Sequence, residues 1–515
     1  MAWYDEAVFY HIYPLGLSGA PKHNDYGAPV HRLNDLIPWI GHIKDIGCTA
    51  LYIGPLFESV GHGYETTDYR KLDTRLGTNE DLKNYVKLCH EAGIRVILDG
   101  VFNHTGRDFF AFKDIQANRE NSRYLHWYCN VNFWGNNEYN DGFSYDNWGG
   151  YNLLAKLNLR NPEVRDYILD TVRFWVSEFD IDGLRLDAAD VLDFDFMRSL
   201  RELADTVKED FWLMGEVIHG EYSRWVNENT LHSVTNYHLH KALYSAHNDH
   251  NYFEIAHTVK RQLDLGKHFR LYNFVDNHDV ERIYTKLHDK KHFLPVHVLL
   301  YTLPGIPSVY YGSEYGIEGK KERYSDDSIR PCLQLKDMKN NACSEIITAL
   351  GKIRQKEKAL VYGEYRELQL TTEKYAFARG DVLITVNNSS QTQSFDLPAE
   401  GTYTGALSGE TVTAENGTVH IDLGGENGEI WIPSEERIRY TPLKKQIKTE
   451  PKQPIEKKTP VRAEGIPYEE MTVEQLQAEI LAKMAANGPV TDRMKQDVLE
   501  NVYRDSLLNW VRSFR

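Results

Sequence analysis

Acidic side chains follow short apolar runs at several points of the chain, a pattern that suits acid–base and nucleophilic chemistry. The stretch DGLRLDAAD, residues 182–190, alternates like a buried strand and places Arg185 and Asp187 on one face. Burying such charges is costly unless they serve a purpose. We expect Arg185 to lower the pKa of Asp187 by roughly 1–3 units and to keep it ionised, as a nucleophile requires. When this stretch is considered alone, the alternative to a catalytic role is a buried ion pair that only supports the structure.

Comparable groups end three other apolar runs. Glu216 directly follows FWLMG, and FVDNHD supplies His278 and Asp279. The segment DGVFNH supplies Asp99 and His104. Any one of these groups could cap a strand or form a core salt bridge. Four strand ends that converge on one place are harder to explain by packing, because unpaired buried charges cost several kcal/mol each.

The elements that must position these groups alternate between short apolar strands and longer helices. Strands are predicted near 8–13, 50–54, 95–99, 183–187, 211–215, 233–236, 271–275 and 308–311, with helices near 33–46, 79–92, 162–179, 194–207 and 342–356. Eight βα units predict an α/β fold, a TIM (β/α)8 barrel over 1–102 and 158–360, with its chemistry at the carboxyl ends of the strands. The Trp/Tyr/Asn-rich segment 103–157 interrupts the alternation and is predicted as a domain inserted after strand three.

Three further parts follow the barrel. Residues 361–433 read as strands with Gly/Asn turns and predict an antiparallel β-sandwich domain. Residues 434–465 are rich in Lys, Pro and Glu and predict an extended linker. Residues 466–515 predict a helical tail of two amphipathic helices, which we expect to dock on its own chain or to mediate self-association or partner binding. The two apolar faces consist of Val473, Leu476, Ile480 and Met484, and of Leu499, Tyr503, Leu507, Trp510 and Phe514.

Composition narrows the class of protein. The chain has 59 Lys and Arg against 75 Asp and Glu, a net charge of −16, which disfavours nucleic acid as the main partner. The five cysteines are odd in number and form no CxxC pair, which fits free thiols in a reducing compartment. The opening MAWYDEAVFY lacks a signal-peptide pattern, and no run approaches about 18 apolar residues. We therefore predict a cytoplasmic protein with no membrane contact.

Three acids, two histidines and one arginine suit the cleavage of a glycosidic bond. One carboxylate must be ionised to attack the anomeric carbon, and another must be protonated to release the leaving oxygen. Arg185 indicates that Asp187 is the ionised group, while the apolar approach to Glu216 raises its pKa and indicates the acid/base. Asp279 would hold substrate hydroxyls and help keep Glu216 protonated by like-charge repulsion.

The four motifs, in this order, resemble the conserved regions of the α-amylase family of glycoside hydrolases, over roughly residues 5–433. The resemblance implies the barrel, the inserted domain B and the C-terminal β domain. It also implies that Asp187 is the nucleophile, Glu216 the acid/base and Asp279 the transition-state stabiliser. The residues that it implies around the substrate are Tyr64, which stacks beneath the sugar, Asp99, His104, Arg185, His278 and Arg330.

Subgroup features point to α-1,4 bonds. AKLNLRNPEV resembles the MPKLN signature of neopullulanases and cyclomaltodextrinases, and Ala188 resembles α-1,4-acting members. Gly61 stands where exo-glucosidases tend to carry Asp. The sequence departs from the family pattern in two ways. The extra N-terminal domain usual in the neopullulanase subgroup is lacking. Asp190-Val191 stands in place of the Lys-His that is tied to the calcium site in secreted α-amylases. We expect no metal ligands and no cofactor. Asn103 matches a calcium ligand of the family, but we do not expect calcium to be essential.

The sequence therefore predicts a retaining hydrolase that cuts α-1,4 bonds of maltodextrins or cyclodextrins through a covalent glucosyl–Asp187 intermediate. The alternatives are an α-glucosidase or glucosyl transferase of the same family, and a non-catalytic relative such as the amino-acid-transporter heavy chains. The α-glucan is the expected partner, with homo-oligomer or partner contact through the C-terminal helices as a further option. We expect most aromatic residues of domain B to form its own core and one or two to line the cleft. These residues are Trp127, Tyr128, Phe133, Trp134, Tyr139, Phe143, Tyr145, Trp148 and Tyr151.

Overall fold

The computed structural model describes residues 2–266, 270–435, 468, 471–487, 495, 498, 507 and 511. The chain divides into two units, Met1–Leu443 and Lys444–Arg515.

Eight parallel strands form the central sheet of the first unit. They are β1 (Phe9–Ile12), β2 (Ala50–Ile53), β3 (Arg95–Gly100), β4 (Gly183–Leu186), β5 (Trp212–Gly215), β6 (Ser233–Val234), β7 (Tyr272–Phe274) and β8 (Ile306–Tyr310). Their order is β6-β5-β4-β3-β2-β1-β8-β7, and a bridge between Thr235 and Tyr272 joins the two outer strands. The sheet thus closes on itself, and the predicted parallel barrel is confirmed.

The strands are nearly continuous apolar runs because the barrel buries both of their faces. Six of the eight strands are shorter than predicted, by one or two residues, and two of these differences have a local cause. Strand β4 ends at Leu186 because Ala188 adopts a left-handed backbone conformation. Strand β6 ends at Val234 because Asn236 already caps the following helix, accepting a hydrogen bond from the backbone N–H of Leu239.

Helices surround the barrel. The longer ones are α1 (Ile37–Asp45), α2 (Asn79–Glu91), α3 (Phe110–Asn118), α4 (Pro162–Phe179), α5 (Phe194–Val207), α6 (Tyr237–Asn248), α7 (Phe253–Asp264), α8 (Phe293–Thr302) and α9 (Ala342–Lys356). Single turns lie at Pro14–Leu17, Arg32–Asp35, Ile283–Lys286 and Ala359–Tyr362. The predicted helix over 33–46 is interrupted at Leu36, since Pro38 lacks an N–H and starts a new helix.

The inserted segment forms a small antiparallel sheet of three strands, in the order His104–Thr105, Tyr151–Lys156, Asn147–Trp148. In helix α3 of the same segment, Phe112 packs against the rings of Tyr128, Phe143 and Tyr145. A second hairpin, Phe57–Ser59 with Thr66–Leu72, follows β2. Its loop carries Tyr64, and the sequence did not predict it.

Antiparallel strands follow the barrel, as predicted. They are β9 (Tyr365–Leu370), β10 (Lys374–Arg379), β11 (Val382–Asn387), β12 (Gln393–Pro398), β13 (Thr402–Gly405), β14 (Thr411–Thr413), β15 (Thr418–Leu423) and β16 (Asn427–Pro433). Six form a sheet in the order β9-β10-β11-β16-β13-β14, and β12 pairs with β15. Side chains of the two sheets share one apolar cluster, which includes Phe395, Ile421 and Trp431.

The second unit contains α10 (Val473–Asn487), whose Leu476 and Ile480 belong to an apolar cluster with Val498 and Leu507. Most of the predicted linker, and Leu499, Tyr503, Trp510 and Phe514 of the second predicted helix, lie outside the described residues. In the part of the chain that is described, no helix is both long enough and apolar enough to cross a membrane.

Candidate active site

One buried guanidinium gathers the acidic groups at the carboxyl end of the barrel. Arg185, in β4, contacts Asp99 of β3 and Asp187 just after β4, each at 2.9 Å through Nη1. Its Nη2 contacts Glu216, just after β5, at 3.0 Å. Three of the predicted acids and the predicted arginine therefore share one cluster.

Backbone geometry fixes the two carboxylates that follow β4 and β5. Ala188 has φ 47° and ψ 44°, a conformation that is costly for residues other than glycine. In this conformation its N–H donates a hydrogen bond to Glu216 Oε2 at 3.0 Å. The N–H of Asp187 donates to the carbonyl of Gly100 at 3.1 Å, and that of Glu216 to the carbonyl of Leu186 at 2.9 Å. Strain at Ala188 is thus tied to the placement of an acidic side chain.

Asp279 follows β7 and lies between His278 and Arg330. His278 Nε2 lies 3.1 Å from Asp279 Oδ2, and Arg330 Nη2 lies 2.9 Å from Asp279 Oδ1. Arg330 also donates from Nε to the carbonyl of His278 at 2.8 Å and pairs with Asp326 at 2.9 Å. Both oxygens of Asp279 therefore have a fixed partner.

Tyr64 joins these two parts of the site. Its hydroxyl donates to Asp99 Oδ2 at 3.2 Å and also contacts His278 Nε2. Its ring stacks on the ring of His278, with centroids 5.7 Å apart. His104 donates from Nε2 to the carbonyl of Tyr64 at 3.1 Å and accepts from the amide of Asn103 at its Nδ1. All nine predicted site residues are thus connected by direct contacts, although their roles remain predictions.

The pKa values differ in one respect from the prediction. Burial raises the pKa of Asp187 well above its ordinary value, against the opposite effect of Arg185. The expectation of a lowered Asp187 pKa is wrong for the site without substrate, because removal from water outweighs the arginine charge. Burial also raises the pKa of Glu216, and repulsion by Asp279 adds to this rise, as predicted.

Asp279 has the opposite behaviour. Burial acts to raise its pKa, but electrostatic interactions with His278 and Arg330 outweigh burial and hold the pKa well below the ordinary value. Burial lowers the pKa of His278 to about 3, although Asp279 acts to raise it. Asp279 is therefore the member of the acid set that stays ionised most readily.

Sequence reasoning missed two aromatic residues of this site. Tyr52 in β2 donates to Asp99 Oδ2 at 2.8 Å, and the Arg185 guanidinium lies 5.9 Å from its ring. The Arg330 guanidinium lies 4.8 Å from the ring of Tyr13. The signal for Tyr52 was a polar aromatic residue inside the short apolar run ALYI, close to the strand's carboxyl end.

Among the residues described, no three His, Cys, Asp or Glu side chains form a group that could hold a metal ion. Asn103, the residue that matches a calcium ligand, directs its amide nitrogen to His104 at 3.1 Å. That calcium is not essential to this chain stays a prediction.

Comparisons with known proteins agree with one another. Residues 31–360 match the family model for the α-amylase catalytic domain. A cyclomaltodextrinase of Bacillus sp. is 31% identical over 445 residues, covering 80% of this chain and 78% of the relative. Neopullulanase 2 of Thermoactinomyces vulgaris is 30% identical over 470 residues, covering 83% and 78%. A solved cyclomaltodextrinase structure has a TM-score of 0.76 at 28% identity, covering 84% of this chain and 78% of that one.

Proposed function

The chain belongs to the α-amylase family and is a glycoside hydrolase, and we propose that it cuts α-1,4-glucosidic bonds of cyclodextrins and maltodextrins. The observation that carries the proposal is the single Arg185 guanidinium that holds Asp187 and Glu216 together. The names of the similar proteins, cyclomaltodextrinase and neopullulanase, support α-glucans as the substrate class.

In the first step, Asp187 attacks the anomeric carbon and forms a glucosyl ester. The bond from that carbon to the leaving oxygen breaks, and Glu216 gives its proton to this oxygen. In the second step, ionised Glu216 takes a proton from water while the water oxygen attacks the same carbon. Asp187 leaves as the free carboxylate, Glu216 is protonated again, and the product keeps the anomeric configuration of the substrate.

The shared contact of Asp187 and Glu216 with Arg185 supports a retaining mechanism. Retaining enzymes place the two carboxyl groups about 5–5.5 Å apart, whereas inverting enzymes leave about 6.5–9.5 Å for a water molecule. Here Nη1 of one guanidinium contacts Asp187 at 2.9 Å, in addition to Asp99, and Nη2 contacts Glu216 at 3.0 Å. This arrangement draws the carboxylates together and favours direct attack by Asp187.

The charge balance of the site supports a stored proton. The acidic groups are Asp99, Asp187, Glu216 and Asp279, and the permanent cations among their partners are Arg185 and Arg330. Burial raises the pKa of both Asp187 and Glu216, so the empty site retains a proton on this pair at a pH where exposed carboxyls are ionised. We assign that proton to Glu216 because Asp187 must be ionised to attack the anomeric carbon, and the charge of Asp279 raises the pKa of both groups.

Asp279 acts differently because it remains ionised. In this proposal its oxygens, oriented by His278 and Arg330, accept hydrogen bonds from sugar hydroxyls. A fixed negative charge also stabilises the positive charge that develops on the sugar in the oxocarbenium-like transition state.

Product analysis tests the proposal. Wild type, Asp187→Asn and the control Asp170→Asn are each incubated with maltoheptaose, β-cyclodextrin, pullulan and isomaltose. Asp170 is an exposed aspartate on α4, outside the site. We expect wild type and the control to open β-cyclodextrin and shorten maltoheptaose, and Asp187→Asn to lose about four orders of magnitude in kcat or more.

Two results would change the conclusion. Release of glucose alone from maltoheptaose, with β-cyclodextrin intact, would indicate the alternative α-glucosidase, and sugar products longer than the substrate would indicate a transferase. Equal activity of Asp187→Asn and Asp170→Asn would refute the mechanism.

Other parts of the sequence-based account stay predictions alongside this proposal. They are the cytoplasmic location, the absence of an essential cofactor, self-association or partner contact through 466–515, and the boundaries of the inserted domain and the linker.

A further inference from the structure

The inserted segment presents a pair of aromatic rings to solvent, and the chemistry proposed above does not use them. Trp148 is 40% exposed and Tyr151 is 63% exposed. Their ring centroids lie 6.4 Å apart, and their planes differ by only 20°. Other aromatic residues of the segment are buried, namely Trp127, Tyr128, Phe143 and Tyr145. Two adjoining exposed rings form an apolar surface that a ligand can cover.

The turn that carries the rings is built to hold them. Gly149 and Gly150 have φ of 61° and 86°, the left-handed conformation that a two-residue hairpin turn requires. Asn147 accepts a hydrogen bond from the N–H of Gly150 at 2.9 Å and donates to Asn152 Oδ1 at 2.7 Å. The rings are therefore held in place before any ligand arrives, which reduces the entropy cost of binding.

The same small sheet connects the rings to the candidate active site. The strand Tyr151–Lys156 pairs with His104–Thr105, with His104 opposite Lys156. The ring of Trp148 lies 6.3 Å from the ring of His104, and His104 in turn binds the carbonyl of Tyr64. A continuous line of contacts thus leads from Tyr64 through His104 to Trp148.

We propose that Trp148, backed by Tyr151, is a binding platform for a glucose ring that adjoins the cleaved sugar, and that it sets the preference for longer α-glucans. This inference rests on the proposed function and deepens it. The apolar C–H face of a pyranose packs on an indole ring, while its hydroxyls stay in water at an exposed site.

Binding experiments separate this platform from general features of the segment. The inactive Asp187→Asn chain is titrated with maltoheptaose in a calorimeter, alone and combined with Trp148→Ala, Trp148→Phe or Trp134→Ala. Trp134 lies in the same segment and is 98% exposed, which makes it the matched control. We expect Trp148→Ala to raise the Kd about five- to tenfold, Trp148→Phe to keep most of the affinity, and Trp134→Ala to leave the Kd unchanged.

Equal Kd values for Trp148→Ala and Trp134→Ala would overturn the platform while leaving the proposed function intact. The proposed function, and the platform with it, would be refuted by two results together. These are that Asp187→Asn alone binds no maltoheptaose and that wild type cleaves no α-glucan. A loss of affinity in Trp148→Ala whose thermal unfolding matches that of Trp134→Ala supports the platform. An equal loss of affinity and of thermal stability in both Trp148→Ala and Trp148→Phe would overturn it.

Discussion

At the scale of single residues, Arg185 determines how the acids behave. It contacts three carboxyl groups with two nitrogens, and burial leaves it no water as an alternative partner. The planar guanidinium can do this because its donors point in fixed, divergent directions. A lysine ammonium in the same place is a compact charge and cannot span the three groups.

We expect Arg185→Lys to lower kcat on maltoheptaose by about 10²–10³-fold, because Asp187 and Glu216 lose their common anchor. Arg185 lowers the pKa of Asp187, against burial. With that effect weakened, the acidic limb of the pH–rate profile should move to higher pH. Rates measured from about pH 4 to pH 8 check this, with the exposed Arg70→Lys as control. An unshifted acidic limb would contradict the assigned role.

Residue types and strand ends predicted seven members of the cluster, namely Asp99, His104, Arg185, Asp187, Glu216, His278 and Asp279, whereas Tyr64 and Arg330 came from the family resemblance. Residue types and strand ends were not sufficient to predict the Asp187 pKa. That value depends on how completely the barrel and the hairpin loop with Tyr64 exclude water, and this exclusion comes from packing between distant segments. The sequence pattern for Arg185 and Asp187 showed the charge pair but not the degree of burial.

At the scale of elements, the two ends of β4 have different tasks. The carboxyl end delivers Asp187, whereas Asp182, just before the amino end, ties neighbouring elements together. Asp182 accepts hydrogen bonds from His90 at 2.7 Å, Arg95 at 2.9 Å and the N–H of Val96 at 2.8 Å. It connects β4 to α2 and β3, at the end of the barrel that carries no catalytic group.

We expect Asp182→Asn to destabilise the fold by about 2 kcal/mol at pH 7. Burial acts to raise the Asp182 pKa, but its hydrogen bonds lower it from 3.8 to about 2. A depressed carboxyl pKa stabilises the fold above the unfolded pKa, and this contribution is lost as the pH falls through the folded value. The difference between variant and wild type should therefore shrink between about pH 4 and pH 2.

Urea unfolding at pH 7 and at pH 3 measures this difference. The exposed Asp170→Asn serves as control, with a change below about 0.5 kcal/mol. A difference between Asp182→Asn and wild type that stays constant with pH would show that ionisation of Asp182 is not the cause.

Helix bounds were predicted well where the signals are local. Helix α4 begins at Pro162 after Asn161, whose side chain accepts from the N–H of Glu163, and α5 begins after Asp193, which accepts from two backbone N–H groups. Strand ends were predicted less well. The bridge of Thr235 to Tyr272 depends on closure of the barrel, which no local pattern encodes.

At the scale of the whole molecule, neutral histidines lie where the β domain meets the barrel. His292 donates to the carbonyl of Asn388, and its ring lies 5.4 Å from that of His247. His297 donates to the carbonyl of Phe293 one turn earlier in α8. Burial lowers the pKa of His247 to about 3 and that of His297 to about 4, so both are neutral in the fold.

Such histidines make the fold sensitive to acid. Below about pH 6.5, His297 binds a proton in the unfolded chain but stays neutral in the fold. The free energy of unfolding therefore falls as the pH drops towards 4. Between pH 7 and pH 5, we expect the free energy of unfolding to fall by about 2 kcal/mol less in His297→Phe than in wild type. The reason is that one such group contributes about 1.4 kcal/mol per pH unit. Urea unfolding at both values measures it, and the exposed His288→Phe should behave as wild type. Equal losses in all three chains would contradict this explanation.

The central claim, a covalent bond between the sugar and Asp187, can be tested directly by trapping the intermediate. Wild type is incubated with a 5-fluoro-α-glucosyl fluoride, which slows the second step more than the first, and its peptides are analysed by mass spectrometry. We expect the mass of one fluorinated glucosyl group on the peptide that contains Asp187, and no label after prior incubation with excess maltoheptaose. A label on Glu216 or Asp279 instead, or an unlabelled chain that releases product of inverted anomeric configuration, would contradict the mechanism.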